Sequence, residues 1–184
     1  MSIEQGPILI AIARATIAQV FGQQAQADES APWLQEPGAT FVTLTQRGGL
    51  RGCIGSLTAQ RPLLEDLEGN AYAAAFRDPR FPPLTPDELD ATEVEVSLLS
   101  PTEPMTFRDE GDALSQLRPG VDGVLLEWDG YRGTFLPQVW EQLPEPEDFM
   151  AHLKRKAGLL TDFWSPKIRL SRYTVEKWKE SERR

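Results

Sequence analysis

A run rich in β-branched residues, Ala39–Gln46, and a returning run, Leu50–Leu57, face each other across Gly48-Gly49. In the first, Phe41 and Thr43 fall on one side and Val42 and Leu44 on the other, the period-two pattern of a half-buried strand. Adjacent glycines accept positive φ and suit the tight turn of a hairpin. This stretch is therefore committed to antiparallel pairing, and it puts Cys53 on a strand or on a glycine-loosened bulge. Four more segments read as strands. Thr92–Ser100 sets Val94, Val96 and Leu98 against Glu93, Glu95 and Ser97. Val121–Trp128 and Tyr131–Leu136 read as a second hairpin around Asp129-Gly130, and Lys167–Trp178 reads as a closing strand.

Helical spacing fills much of the remainder. Pro7–Phe21 carries Leu9, Ile12, Ala13, Ile17, Val20 and Phe21 on one face. Arg61–Phe76 begins at Pro62, with Leu63, Leu64, Leu67, Ala71, Ala74 and Ala75 facing inward and acids in its first half, where the helix dipole favours them. Thr85-Pro86-Asp87-Glu88 has the capping-box pattern of a short helix start. Glu110–Leu117 is a short helix, Pro137–Glu141 a helical turn, and Glu147–Ala157 a helix ended by Gly158. Gln23–Gly38 is a polar loop pinned by Trp33 and Leu34, and Asp78–Pro83 a rigid proline-rich one. Helices and mostly antiparallel strands mix without a βαβ rhythm, which makes the fold class α+β. At 184 residues the chain is one domain or two small lobes.

A formal charge of −9 argues against a nucleic-acid partner, because phosphate binding needs clustered Lys and Arg. No segment reaches the ~18 uninterrupted apolar residues of a membrane helix, so no membrane partner is expected. Glu4 and Arg14 fall where a secretory signal would carry a basic start and an unbroken apolar run. With a single cysteine there is no internal disulfide, which fits a reducing compartment. A cytoplasmic location is expected.

That cysteine, Cys53, lies within Leu50-Arg51-Gly52-Cys53-Ile54-Gly55, and the chain has one histidine, His152, far downstream. A thiol reacts as the thiolate, which a neighbouring cation such as Arg51 favours. One thiol and one imidazole suffice for nucleophilic chemistry if the fold unites them. Packing by itself does not call for two glycines here, so Gly52 and Gly55 read as room for a ligand or as a source of oxyanion-binding N–H groups. The competing reading of Cys53 is a small buried hydrophobe. His152 flanks the stripe Phe149, Met150, Leu153 and Ala157, where it is either a general base or an interfacial residue. Structural zinc wants four ligands, usually Cys and His, and one of each is too few, so no metal or cofactor is expected. No phosphate-loop or dinucleotide fingerprint is found: Gly48-Gly49-Leu50-Arg51-Gly52 follows a strand but opens no helix.

Five segments, taken together, resemble one family. They are Leu50–Gly55, Asp78-Pro79-Arg80-Phe81, Val94–Pro101, Thr134–Trp140 and Lys156-Ala157-Gly158-Leu159. The set is similar to the AMMECR-type domain, the A component of the AmmeMemoRadiSam system, from about residue 8 to about residue 176. The resemblance implies a five-stranded antiparallel sheet flanked by helices, a smaller lobe, and a cleft near the cysteine motif. It also implies a shared pathway, because relatives are encoded beside a radical SAM protein and a Memo-type protein, which become the possible protein partners. It implies no particular reaction.

Glu95, on the polar face of its strand and inside a family-like segment, is the candidate to orient the imidazole; an ion pair is the plainer role, and Glu93 shares its face. Arg51 and Arg80 are candidates to hold a small-molecule substrate, against a surface salt bridge and a helix cap respectively. Gln138 offers an amide to a ligand or steadies a turn. Phe135 and Trp140 read as core. Three functional readings follow: an enzyme of small-molecule metabolism with Cys53 as nucleophile, His152 as base and Glu95 behind it; a non-catalytic binding module; and a motif that serves folding alone.

Overall fold

The apolar stripe of the first helix is buried as its spacing predicts. In α1 (Gln5–Val20), Leu9, Ile12, Ala13 and Ile17 are inaccessible, while Val20 in the last turn is exposed rather than part of the stripe. The computed structural model describes residues 4–183. These form two compact units, one running to Leu99 and resuming at Glu176, the other spanning Ser100–Val175.

In the first unit, β1 (Pro37–Gln46) and β2 (Gly49–Gly55) form the predicted hairpin. Its turn is one residue earlier than the glycine pair suggests: Arg47 and Gly48 hold the positive φ values, 53° and 79°, and Gly49 already pairs with Gln46. Two consecutive positive-φ residues are what a two-residue hairpin turn with the right twist demands. A two-residue strand, β3 (Arg61–Pro62), pairs with the start of β1. It precedes α2 (Leu63–Phe76), whose Leu63, Leu67, Ala71, Ala74 and Ala75 are buried.

Asp66 is not an exposed acid favoured by the dipole but a buried hub. Its carboxylate accepts the Thr40 N–H and hydroxyl at 2.8 Å, the Ser56 hydroxyl, and Asn70 and Arg61 donors. A fully satisfied polar network of this kind fixes α2 on β1. Thr85 and Glu88 form the predicted capping box of a 3-10 turn, Pro86–Ala91, ahead of β4 (Glu93–Leu99). Val42, Leu44, Val94 and Val96 point into the core built with α1 and α2.

In the second unit, β5 (Glu103–Pro104) is followed by α3 (Glu110–Gln116), the hairpin β6 (Gly123–Trp128) and β7 (Tyr131–Phe135), α4 (Pro146–Lys156) and β8 (Arg169–Tyr173). Asp129 and Gly130, at φ 44° and 82°, make the predicted turn. The sheet order is β5-β8-β6-β7. Phe149, Met150 and Leu153 of α4 are buried on it, and Trp140 stacks on Phe149 with centroids 3.8 Å apart.

The predicted closing strand is two strands. After β8, Thr174 leaves the ladder to exchange hydrogen bonds with Ser100, and β9 (Val175–Lys179) joins the other sheet, whose order is β2-β1-β4-β9 with β3 on β1. The α+β class and the five-stranded sheet are thus as expected, and a second, four-stranded sheet accompanies them. No helix among the described residues is long and apolar enough to cross a membrane.

Candidate functional site

Cys53 sits on β2, an edge strand, and its orientation is set by a bulge. Thr45 pairs with Leu50 and Leu44 with Gly52, so Arg51 is the extra residue. Without it the register from Gln46–Gly49 would set Cys53 opposite Val42, facing the apolar core. With it Cys53 lies opposite Thr43, on the other face; re-aiming a side chain is a common use of a bulge. Thr43 is also the partner of Glu95 on β4, so Cys53, Thr43 and Glu95 form a row across three strands. The Thr43 hydroxyl is 3.3 Å from Sγ. Glu95 stands two strand spacings, about 10 Å, from the cysteine backbone, and its carboxylate faces the Lys179 ammonium at 3.6 Å.

The glycines flanking Cys53 do have packing reasons, contrary to the sequence expectation. A Cβ on Gly52 would lie 2.1 Å from the carbonyl oxygen of Ala74, so the glycine lets α2 approach β2. A Cβ on Gly55 would lie 2.2 Å from the Phe41 ring, its cross-strand neighbour.

Arg51 is buried and occupied. Its Nε and Nη2 each donate at 3.1 Å to the Glu88 carboxylate, which those bonds, with the Thr85 N–H, pull down to about 2. The cation beside Cys53 is instead Arg80. Its Nη2 donates to the Cys53 carbonyl at 3.3 Å, and its Nε and Nη2 grip Asp78 at 3.0 and 2.7 Å. Asp78, almost wholly buried, also accepts the Cys53 N–H at 3.0 Å. The hydrogen bonds from Arg80 hold the Asp78 carboxyl far below the usual carboxylate range, and the Cys53 N–H adds to them. The Asp78–Arg80 loop therefore ties down both outward-facing peptide groups of Cys53 on the open sheet edge. It also occupies the Cys53 N–H, one of the donors considered for an oxyanion.

Thr43 and Asp78 are the site residues that sequence reasoning missed. Asp78 carried one signal, its place at the head of a family-like segment. Thr43 carried the alternation that puts it opposite Val42 and Leu44.

His152 and Gln138 belong to the second unit, whereas Cys53, Thr43, Glu95, Asp78 and Arg80 belong to the first. His152 is exposed on α4, with Nδ1 2.8 Å from the Asp148 carbonyl one turn back. Gln138 is exposed on the 3-10 turn Pro137–Glu141. Among the described residues no group of three or more His, Cys, Asp or Glu is arranged to hold a metal ion. A cavity of about 590 Å³ is bordered by Arg14, Thr92, Glu93 and Glu180, and one of about 250 Å³ by Glu103, Arg118 and Arg172; neither is lined by Cys53.

A helix-backed antiparallel sheet whose bulged edge strand reads Leu-Arg-Gly-Cys-Ile-Gly defines a narrow class of α+β proteins. The sequence model of one family, AMMECR1, matches residues 10–178, and the chain belongs to that family. It is 38% identical to a Methanothermobacter thermautotrophicus protein over 181 residues, covering 96% of this chain and 94% of the relative. It is 39% identical to a Thermotoga maritima protein over 163 residues, 86% and 88% of the two chains. The crystal structure of the uncharacterized protein PH0010 from Pyrococcus horikoshii is similar throughout, with a TM-score of 0.81, 33% identity, and coverage of 98% of this chain and 93% of that one.

Proposed function

We propose that this protein is an enzyme of small-molecule metabolism that uses Cys53 as a nucleophile. The observation that carries the reading is the bulge at Arg51, which turns the thiol away from hydrocarbon and beside a hydroxyl. The Asp78–Arg80 loop holds the backbone on either side of the sulfur. In this reading the thiol proton passes to a base and the thiolate attacks a carbonyl carbon: the C–S bond forms as the C=O π bond opens and its electron pair moves onto oxygen. The role of base is assigned on chemistry alone to His152, the sole imidazole, with Glu95 as the acid that orients it. Acyl transfer, hydrolysis and isomerisation through a covalent adduct all suit these parts. The reaction belongs to the reducing cytoplasm, in a pathway shared with radical SAM and Memo-type proteins.

The test is the rate at which iodoacetamide labels Cys53, compared with the same chain unfolded in urea, together with intact-mass analysis after incubation with cell extract. Labelling at a rate comparable to the unfolded chain or faster, and an adduct that Cys53→Ser abolishes and His152→Ala slows, are expected. Labelling as slow as that of a sealed thiol, with no adduct, overturns the proposal.

A second reading, a non-catalytic binding module, is favoured by the structural occupations of Gly52, Gly55 and Arg51, which leave little of the motif for a substrate. It predicts that Cys53→Ser retains partner binding and that no adduct forms.

A further inference from the structure

Arg80 is held in one pose beside the sulfur. Asp78 grips the guanidinium along its Nε–Nη2 edge, and the same Nη2 reaches the Cys53 carbonyl. Because the group is planar, this turns the Nη1 end away from Asp78. The Arg80 side chain is 54% exposed while that of Asp78 is 2% exposed, so the ion pair is a dipole with its positive end toward solvent. The carbonyl oxygen and Sγ of one cysteine are never more than about 5 Å apart by covalent geometry, which puts that positive end within reach of any molecule attached to the sulfur.

Arg51 adds an independent sign. It borders the Phe81 ring, its Cζ 6.0 Å from the centroid against 5.5 Å for Arg80. Its side chain is 9% exposed, yet Nη1 is buried with no acceptor from the protein. Buried donors are nearly always satisfied, so this one calls for an explanation, of which a water or an ion is one. A chain of net charge −9 thus keeps two guanidinium groups around one aromatic ring, one of them hydrogen-bonded to the residue that carries its only thiol.

We infer that the molecule processed at Cys53 carries a carboxylate or phosphate group, and that Arg80 receives it. This inference rests on Cys53 being the nucleophile, and it names the substrate class that nucleophile takes. Asp78 is the positioning residue: it fixes the guanidinium so that little side-chain freedom is lost when an anion arrives.

Two reagents that differ only in charge test it. Iodoacetate and iodoacetamide both alkylate by the same displacement: Sγ attacks the methylene carbon, a C–S bond forms, the C–I bond breaks, and iodide leaves with the electron pair. The quantity read is the iodoacetate-to-iodoacetamide rate ratio at Cys53 in the folded protein, divided by the same ratio in the urea-unfolded chain. An exposed charge pair commands a factor of about two to five, so a quotient in that range is expected at low ionic strength. It should fall toward one at 1 M salt, where the screening length is about 3 Å. Arg80→Gln should bring the quotient to one or below, and Arg80→Lys should retain part of it. A quotient of one or less in the wild type, or one unmoved by salt or by Arg80→Gln, overturns the inference while leaving the nucleophile intact. Should Arg80→Gln fail to fold, the salt titration of the wild type decides. Failure of both reagents to label the folded protein sinks the nucleophile reading instead.

Discussion

Replacing Gly52 with alanine tests whether the motif glycine serves packing. The added Cβ would lie 2.1 Å from the Ala74 carbonyl oxygen and 3.0 Å from the carbon it belongs to. An ordinary carbon–oxygen contact needs about 1 Å more, since close-packed interiors have no slack of that size. The obstacle is helix backbone, so no rotamer change relieves it. Either α2 moves off β2, where the Asp66 network and the buried Leu67 and Ala71 resist it, or the edge strand peels away. Overpacking of this kind costs about 1–3 kcal/mol, and a backbone obstacle belongs at the upper end. At about 2–4 °C per kcal/mol for a chain of this size, the melting temperature should fall by about 6–12 °C. Urea unfolding followed by circular dichroism reads the free energy directly. Gly49→Ala is the control, because its Cβ meets only the Gln46 carbonyl oxygen, at an ordinary 3.4 Å; it should stay within about 0.5 kcal/mol of wild type. A Gly52→Ala protein as stable as the control would refute the packing argument and return the glycine to ligand binding.

Three further outcomes are expected. Asp78→Asn keeps an acceptor for the Cys53 N–H but loses the charge opposite Arg80, and should cost about 1–3 kcal/mol at pH 7. Because the folded carboxyl titrates far below its unfolded value of about 3.9, its contribution is complete above about pH 5 and is lost as the pH falls. The wild-type advantage measured by urea melts should therefore shrink by about 1.2 kcal/mol between pH 5 and pH 3; an unchanged gap contradicts the assignment. Thr43→Val removes the hydroxyl beside Sγ and should slow iodoacetamide labelling about two- to tenfold, the worth of one hydrogen bond. A labelling rate unmoved in a folded Thr43→Val protein would count against hydroxyl assistance. In the second unit, Lys154 is buried with its ammonium 2.5 Å from the Glu110 carboxylate. Glu110→Ala strands that charge and should cost about 3–5 kcal/mol, while Lys154→Met, which leaves no buried charge, should be near neutral. Equal losses in the two urea melts would contradict the desolvation argument.

Local physics made most elements legible. The Thr85–Glu88 capping box, the Asp129-Gly130 turn and the stripe of α1 depend on neighbours three or four residues away, and each stands where its spacing indicated. The closing strand divides where its alternation changes phase, from Ile168 and Leu170 to Tyr173 and Val175, and the hydrogen bonds between Thr174 and Ser100 end one strand and begin another. Arg51 forms a salt bridge, the plainer of the two roles weighed for it, and its partner was not legible, since Glu88 lies 37 residues away and no local pattern links them.

The sequence by itself determined the class α+β, the hairpin, and the presence of one thiol in a glycine-framed strand, because periodicity and turn chemistry are short-range properties of the chain. Tertiary structure alone decided which way that thiol points. A turn at Gly48-Gly49 would set Cys53 opposite Leu44, and a turn at Arg47-Gly48 without a bulge would set it opposite Val42, both in the core. The observed turn with its bulge sets it opposite Thr43. Side-chain direction in a strand reverses with each single-residue slip, so a difference of one residue, settled by how β2 packs beneath α2 and against the Asp78 loop, separates a buried hydrophobe from a candidate nucleophile.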